Sequence, residues 1–314
     1  MPRLLLLCLL AVLLAAGCGG STDVDADPVG EAITPRPGND ATRIVVGSKE
    51  FTESRVLAEI YAQTLQAAGY SASTQLDVGD EKTNLAAVRE RRIGAYPEYT
   101  ATALTSFFGV PLAEVPRDTP DAFADARAGF ARIGLTALPP APLNDSQGVG
   151  MRVEDADRLG IRTISDLRRH APRMTIAGAP ECRTRPDCLP GLRRRYGLRF
   201  GRFAAVAPDD RYKRLDSGDA DVAVVFTTDG QLSRGSYRVL RDDRRLFPAY
   251  HPMLVLDAGL ARKAGPDLAR AVSLVQADLT TSVMQGLNAA VDLDGRSPRR
   301  TAREYLDAYG LVNR

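Results

Sequence analysis

Short apolar runs alternate with longer amphipathic ones along most of this chain, and that rhythm restricts its fold more than any other feature. Arg43–Gly47 (Arg-Ile-Val-Val-Gly) reads as a buried strand. After it, Val56, Leu57, Ile60, Tyr61, Thr64, Leu65 and Ala68 recur at helical spacing, with Thr52 placed to cap and Gly69 to terminate. Strands at 73–78 and Ala95–Tyr99 follow, with helices at 83–92, 100–108 (Thr100 as cap) and 121–131. Such alternation predicts an α/β fold: a mostly parallel sheet with helices on both faces.

Pro139-Pro140-Ala141-Pro142 interrupts the pattern, which then restarts. Strands are expected at 148–153, 174–179, 203–206, 221–226 and 253–256. Helices are expected at 165–170 behind a Ser165 cap, at Leu189–Tyr196, at 210–215 and as one long element over 266–286. A last helix covers 298–309, with Ser297 as cap and proline at its first position. Length suffices for two domains, and no internal repeat is visible.

The N-terminus sets the compartment. Met1-Pro2-Arg3 precedes an apolar run from Leu4 to Ala16 and then Gly17-Cys18, which reads as a signal peptide over 1–17. Gly-Cys at the cleavage point resembles a bacterial lipoprotein signal, with Cys18 lipidated and residues 18–42 a flexible tether rich in Gly, Ser, Asp, Pro and Thr. The expected location is outside the cell, lipid-anchored to the outer face of the bacterial cytoplasmic membrane. No later run is apolar enough for a transmembrane helix.

Net charge is +2 with 25% charged residues, which gives no footprint for nucleic acid. Arginine outnumbers lysine 37 to four (Lys49, Lys82, Lys213, Lys263), a bias expected of a GC-rich genome. Tryptophan is absent, so aromatic recognition must use Tyr or Phe.

The chemistry concentrates at 47–54 (Gly-Ser-Lys-Glu-Phe-Thr-Glu-Ser) and 94–100 (Gly-Ala-Tyr-Pro-Glu-Tyr-Thr), each a strand end entering a turn and a helix. An α/β sheet gathers ligand groups at such ends. They supply a lysine, hydroxyls and tyrosines but no nucleophile–base pair and no metal cluster, so they suit holding a small molecule, without cofactor or metal. Alternation along a strand puts Tyr96 and Tyr99 on opposite faces, Tyr96 toward the core.

These two segments, with Leu-Asn-Asp (143–145), Thr-Ile-Ser-Asp-Leu (163–167), Leu-Pro-Gly-Leu (189–192), Phe-Thr-Thr-Asp-Gly (226–230), 242–250 and Leu-Asn-Ala-Ala-Val-Asp (287–292), resemble the substrate-binding proteins of osmoprotectant ABC importers. That family binds glycine betaine, choline, carnitine and relatives. The resemblance implies a two-lobed, type II periplasmic-binding-protein-like fold, with lobe 1 from 43–143 plus 249–314 and lobe 2 from 144–248. It also implies a monomer that is not an enzyme and serves an ABC permease with its ATPase.

A quaternary ammonium has no N–H, so aromatic faces must recognise it. The family's four cage tyrosines match Tyr99 (next to Thr100), Gln147, Phe226 and Tyr250, so two rings are kept, one is exchanged and one is lost. Lys49 matches the residue that meets the ligand's acidic end, and Arg185 resembles the arginine that closes over it, with Arg183 as the alternative. The altered cage leaves the ligand open: an osmoprotectant, a histidine-derived betaine, an amino acid or another small zwitterion. A non-transporting sensor and an enzyme on the same scaffold are the competing readings.

Cys182 and Cys188 read as a disulfide in an exported chain, holding the Arg185 loop. His170 suits a helix end. His251 follows a proposed cage residue, which leaves two readings open: a place on the cleft wall, or the expected packing or surface group.

Overall fold

The computed structural model describes residues 32–207 and 210–312. The expected signal peptide, Cys18 and the start of the tether lie outside the described residues. Among the described residues ten strands form two five-stranded sheets. The first contains β1 (Arg43–Gly47), β2 (Ser71–Gln75), β3 (Ala95–Tyr99), β4 (Leu135–Ala137) and β10 (Pro252–Asp257), in the order β2-β1-β3-β10-β4. The second contains β5 (Gln147–Arg152), β6 (Thr175–Gly178), β7 (Arg202–Ala205), β8 (Val222–Phe226) and β9 (Tyr237–Val239), in the order β7-β6-β8-β5-β9.

Each sheet carries one reversed strand in the same place. β10 pairs antiparallel with β3 and β4, and β5 with β8 and β9. Both are the first strand after the chain crosses between lobes, so they run away from the seam. The other ladders, β1 with β2 and β3 and β6 with β7 and β8, are parallel.

The crossings, 138–146 and 240–251, are laced together. Asp145 N–H donates to the Tyr250 carbonyl at 3.0 Å, and Tyr250 N–H donates to Asn144 Oδ1 at 2.7 Å. His251 Nδ1 donates to the Leu143 carbonyl at 2.7 Å. The helices Pro266–Gln276 and Pro298–Ala308 return to the first lobe and share a core with the helix Thr52–Ala67, where Leu57, Ile60, Tyr61, Val275 and Leu306 are buried. The helix Thr281–Asp292 reaches the second lobe, with the Asn288 amide donating to the Thr228 carbonyl at 2.9 Å.

Several expected boundaries move, each for a local reason. The 266–286 helix is two helices, because Thr280 accepts from Val283 N–H and caps a new start. The separate helix Ala258–Ala264 and the three-residue strands β4 and β9 were too short to carry a pattern. Ser165 is not a cap: Thr163 and Asp166 form a reciprocal capping box over the 3₁₀ turn Ile164–Arg169. Thr52 is the first helical residue, its hydroxyl donating to Asp292 at 2.6 Å. Residue 42 is too late an end for the tether. Ile33 is buried, its N–H donates to the Leu311 carbonyl at 2.9 Å, and the Asn39 amide holds the Ala68 carbonyl at 2.8 Å.

The lobes also meet at Gly230, where a Cβ would lie 2.5 Å from the Ala289 backbone nitrogen. We predict that Gly230→Ala lowers stability by about 1–3 kcal/mol in denaturant titration. A stability equal to the parent's would show that the turn does not seat on the helix Thr281–Asp292.

Candidate functional site

Between the lobes lies a cavity of about 750 Å³. Sheet register decides which side chains reach it. β3 and β8 end at Tyr99 and Phe226, with their carboxyl ends toward the cavity. Phe226 pairs across the ladder with Gln147, and Tyr99 with Pro252, two residues past Tyr250. After β1, Lys49 N–H donates to Ser54 Oγ at 2.9 Å, folding a turn that brings Lys49, Phe51 and Glu53 to the wall.

Lys49, Tyr99, Gln147, Arg185, Phe226 and Tyr250 therefore converge on one cavity. Thr100 does not. It is fully buried behind the wall, where its hydroxyl donates to the Ala249 carbonyl at 3.2 Å and accepts from His251 N–H at 3.2 Å. His251 belongs to the same seam, with Thr119 Oγ1 2.9 Å from Nε2, and burial pushes its pKa down toward the neutral imidazole. Tyr96 is fully buried in the lobe 1 core, on the face opposite the cavity. Cys182 and Cys188 bring their sulfurs together, both buried, on either side of Arg185.

The cations are already engaged. Lys49 Nζ lies 2.5 Å from Glu98 Oε1 and 4.8 Å from the Tyr99 ring centroid. Arg185 holds Asp187 bidentately, Nε to Oδ1 at 2.9 Å and Nη2 to Oδ2 at 2.6 Å. Arg211, named by no motif, lies 3.2 Å from Asp229 and stacks 5.2 Å from the Phe226 centroid. Each expected anion-binding group thus faces a carboxylate of its own chain.

Two other carboxyls form the floor, held by neutral donors. Glu53 accepts from Tyr99 Oη at 2.8 Å and from the Asn288 amide at 3.3 Å. Asp145 accepts from Thr228 Oγ1 at 2.8 Å. Burial raises both pKa values, and for Asp145 the neighbouring Glu53 charge adds to the rise. Two buried acceptors on the wall, Gln147 Oε1 and Asn288 Oδ1, have no partner among the described residues. Phe51 adds a fourth ring, its centroid 6.1 Å from that of Tyr99. Among the described residues no group of three His, Cys, Asp or Glu is placed to hold a metal ion.

Sequence reasoning passed over Phe51, Glu53, Asp145, Asp229 and Asn288, although all five lie inside the motifs that carried the resemblance. For Phe51, Glu53, Asp145 and Asp229 the signal was a ring or carboxylate within the motif, and for Asn288 an amide on the helix Thr281–Asp292. Arg211 had no such signal. Chemically, aromatic rings beside carboxyls suit the binding of a cation, and among the described residues no serine, cysteine or lysine of the wall is hydrogen-bonded to a histidine.

Residues 42–308 match the family described as the substrate binding domain of the ABC-type glycine betaine transport system. A glycine-betaine-binding protein of Pseudomonas aeruginosa is 30% identical over 291 residues, covering 87% of this chain and 90% of that protein. An ergothioneine transport permease/ergothioneine binding protein of Helicobacter pylori is 26% identical, covering 89% of this chain; the chain spans half of that protein's length. Among solved structures, a glycine betaine/carnitine/choline ABC transporter superposes with a TM-score of 0.77 at 22% identity, over 85% of this chain and 98% of that one. Apo YehZ of Escherichia coli superposes with a TM-score of 0.72 at 24% identity, over 86% and 98%. These likenesses establish the two-lobed periplasmic-binding-protein fold. The chain belongs to the family of ABC-type glycine betaine transport substrate-binding domains, which are binding proteins and not enzymes.

Proposed function

We propose that this chain captures a small methylated ammonium solute between its lobes and delivers it, as a lipid-anchored monomer outside the cell, to an ABC permease and its ATPase. The observation that carries the reading is the convergence of Phe51, Tyr99, Phe226 and Tyr250 on the cavity that the buried Glu53 and the half-buried Asp145 also line. A ring offers two faces. Lys49 and Arg211 take one face each of Tyr99 and Phe226, and the solute's cation takes what remains. Choline, glycine betaine and carnitine all present such a cation. The Cys182–Cys188 bridge holds the Arg185–Asp187 loop in place, which lowers the ordering needed on binding.

A second reading is favoured by Gln147 Oε1 and Asn288 Oδ1. A trimethylammonium group cannot satisfy an acceptor, whereas a betaine that also bears a ring N–H can. A histidine-derived betaine has both groups, and the Helicobacter pylori relative is an ergothioneine binding protein by name.

Calorimetry on the chain carrying Cys18→Ser, with choline, glycine betaine, carnitine and ergothioneine, tests both readings. At least one ligand is expected to bind, and Tyr250→Ala to weaken it by roughly 1–2 kcal/mol. Tighter binding of the ring N–H ligand, lost in Gln147→Leu, would select the second reading. Folded protein that binds none of the four would remove both.

Asp145 separates binding from stability. A carboxyl whose pKa is raised by folding binds more protons folded than unfolded, so its contribution to stability falls as pH climbs above about 4. We predict that Asp145→Asn matches the parent near pH 4 and exceeds it by about 1 kcal/mol or more at pH 7 in denaturant titration. Binding of the cationic solute weakens in the same variant. An unchanged pH profile would mean that the carboxyl is solvated.

A further inference from the structure

The net charge of +2 conceals an uneven distribution. Between Arg162 and Arg202 the chain has eleven arginines and three carboxylates (Asp166, Glu181, Asp187), a net +8, so the remainder of the chain is net −6. Apart from Arg185, which serves the cleft, these arginines are exposed. None forms an ion pair among the described residues, whereas Arg55, Arg152, Arg158 and Arg238 elsewhere on the surface each meet a carboxylate. An arginine-rich composition alone does not produce that segregation.

Topology gathers most of these charges at one end. β6 and β7 run parallel, so the chain between them must return to the end of the sheet where β7 begins. Arg168, Arg169 and Arg173 lie on the 3₁₀ turns that lead into the start of β6. Arg193, Arg194 and Arg195 form the last turn of the helix Leu189–Tyr196, which runs back from the carboxyl end of β6. Arg199 and Arg202 lie at the entry of β7. Backbone contacts close the set: Gly201 N–H donates to the Ala171 carbonyl at 3.0 Å, and a Cβ on Gly197 would lie 3.7 Å from Arg168 Nε. The cleft lies at the carboxyl ends of the strands, so this basic pole is the far end of lobe 2.

The acids beside it offset the charge only in part, since none is ion-paired with these arginines among the described residues: Asp219 pairs with Arg214 and takes Arg202 on its backbone carbonyl, and Asp221 accepts from Thr175 N–H. Asp166 accepts within its capping box and from Arg162 N–H, Asp243 from Ser165 N–H, and the half-buried Asp242 from Tyr196 and two backbone N–H groups. Guanidinium groups that meet no carboxylate suit bidentate contact with phosphates.

We infer that the arginine pole of lobe 2 docks on a phospholipid surface rich in anionic headgroups. This rests on the reading that the chain is held at a membrane face. The contact parks the molecule by the pole away from its cleft, so the cavity stays free to load solute.

The test is co-sedimentation of the chain from residue 18 carrying Cys18→Ser, so that neither an acyl chain nor the apolar run Leu4–Ala16 contributes, with two vesicle types: phosphatidylcholine alone, and phosphatidylcholine mixed with phosphatidylglycerol. Binding is expected only to the mixed vesicles and is expected to fall steeply with salt. R168Q/R169Q/R193Q/R194Q should lower it on the order of a thousandfold, while the thermal midpoint and cleft-ligand affinity stay at parental values. R193Q/R194Q, confined to one exposed helix end, gives the same direction at smaller size. R296Q/R300Q/R303Q on lobe 1 should retain parental binding. Equal sedimentation with both vesicle types, none with either, or parental binding by the quadruple variant would overturn the inference. Because the cleft is assayed separately by calorimetry, failure of the pole and failure of solute binding are distinguishable.

Discussion

The site depends on the seam that ties the two crossings together at Tyr250. Its backbone is held by the outgoing crossing, through Asn144 Oδ1 and the Asp145 N–H. One residue on, His251 and Thr100 exchange two further hydrogen bonds, Thr100 N–H to the His251 carbonyl at 3.1 Å and His251 N–H to Thr100 Oγ1. Those short contacts fix a ring (Tyr250), a carboxyl (Asp145) and the start of the turn behind Tyr99 in one frame, although they lie 46 to 151 residues apart in sequence. Lobe movement can then change the width of the cavity while that frame stays intact. The ordering needed when solute binds falls on the walls, and the Cys182–Cys188 bridge limits it in the lobe 2 loop that carries Arg185 and Asp187.

The seam explains why Thr100 and His251 were misplaced or undecided from sequence. Each adjoins a cavity residue, and adjacency in sequence was the only cue available. A strand alternates faces, so the neighbour of a wall residue turns behind the wall. The same rule placed Tyr96 in the core. Strand–helix alternation was legible because it is local, and so were strong end signals such as Ser297-Pro298. Breaks set by tertiary contact were not. No local pattern separates a long helix from two helices joined at 277–280, and Ile33 reads as tether until its edge pairing beside Leu311 is known.

Charge was the least legible quantity. Lys49 and Glu98 are 49 residues apart, and neither sequence position hints that burial will force them together at 2.5 Å. A lysine whose own side chain is 9% exposed needs a counter-charge, because a lone buried ammonium is strongly disfavoured. Once paired, it meets an incoming carboxylate as one half of a neutral dipole, with hydrogen-bond donors to offer but little net field. Arg185 with Asp187, and Arg211 with Asp229, follow the same logic. The cations expected to define the acidic-end subsite therefore work mainly by geometry, and Glu53 and Asp145 are left to set the sign of the field felt by the solute.

Such a field is useful only where it is not cancelled by charge of the other sign. The arginines of lobe 2 would oppose capture of a cation if they bordered the cleft. The helix Leu189–Tyr196 removes that conflict. Its eight residues at 1.5 Å rise make an element about 12 Å long from end to end, a span longer than the screening length of roughly 8 Å at physiological ionic strength. The core of lobe 2 fills the space between and holds the two sets of charges apart, with Leu192, Tyr196, Ile176 and Leu167 all buried, while the salt solution around the lobe screens them from each other. A cation approaching the mouth therefore responds to the carboxyls of the cleft, and an anionic surface approaching the far pole responds to the guanidinium groups. A chain whose total charge is close to zero can in this way present two opposite charges to two different partners.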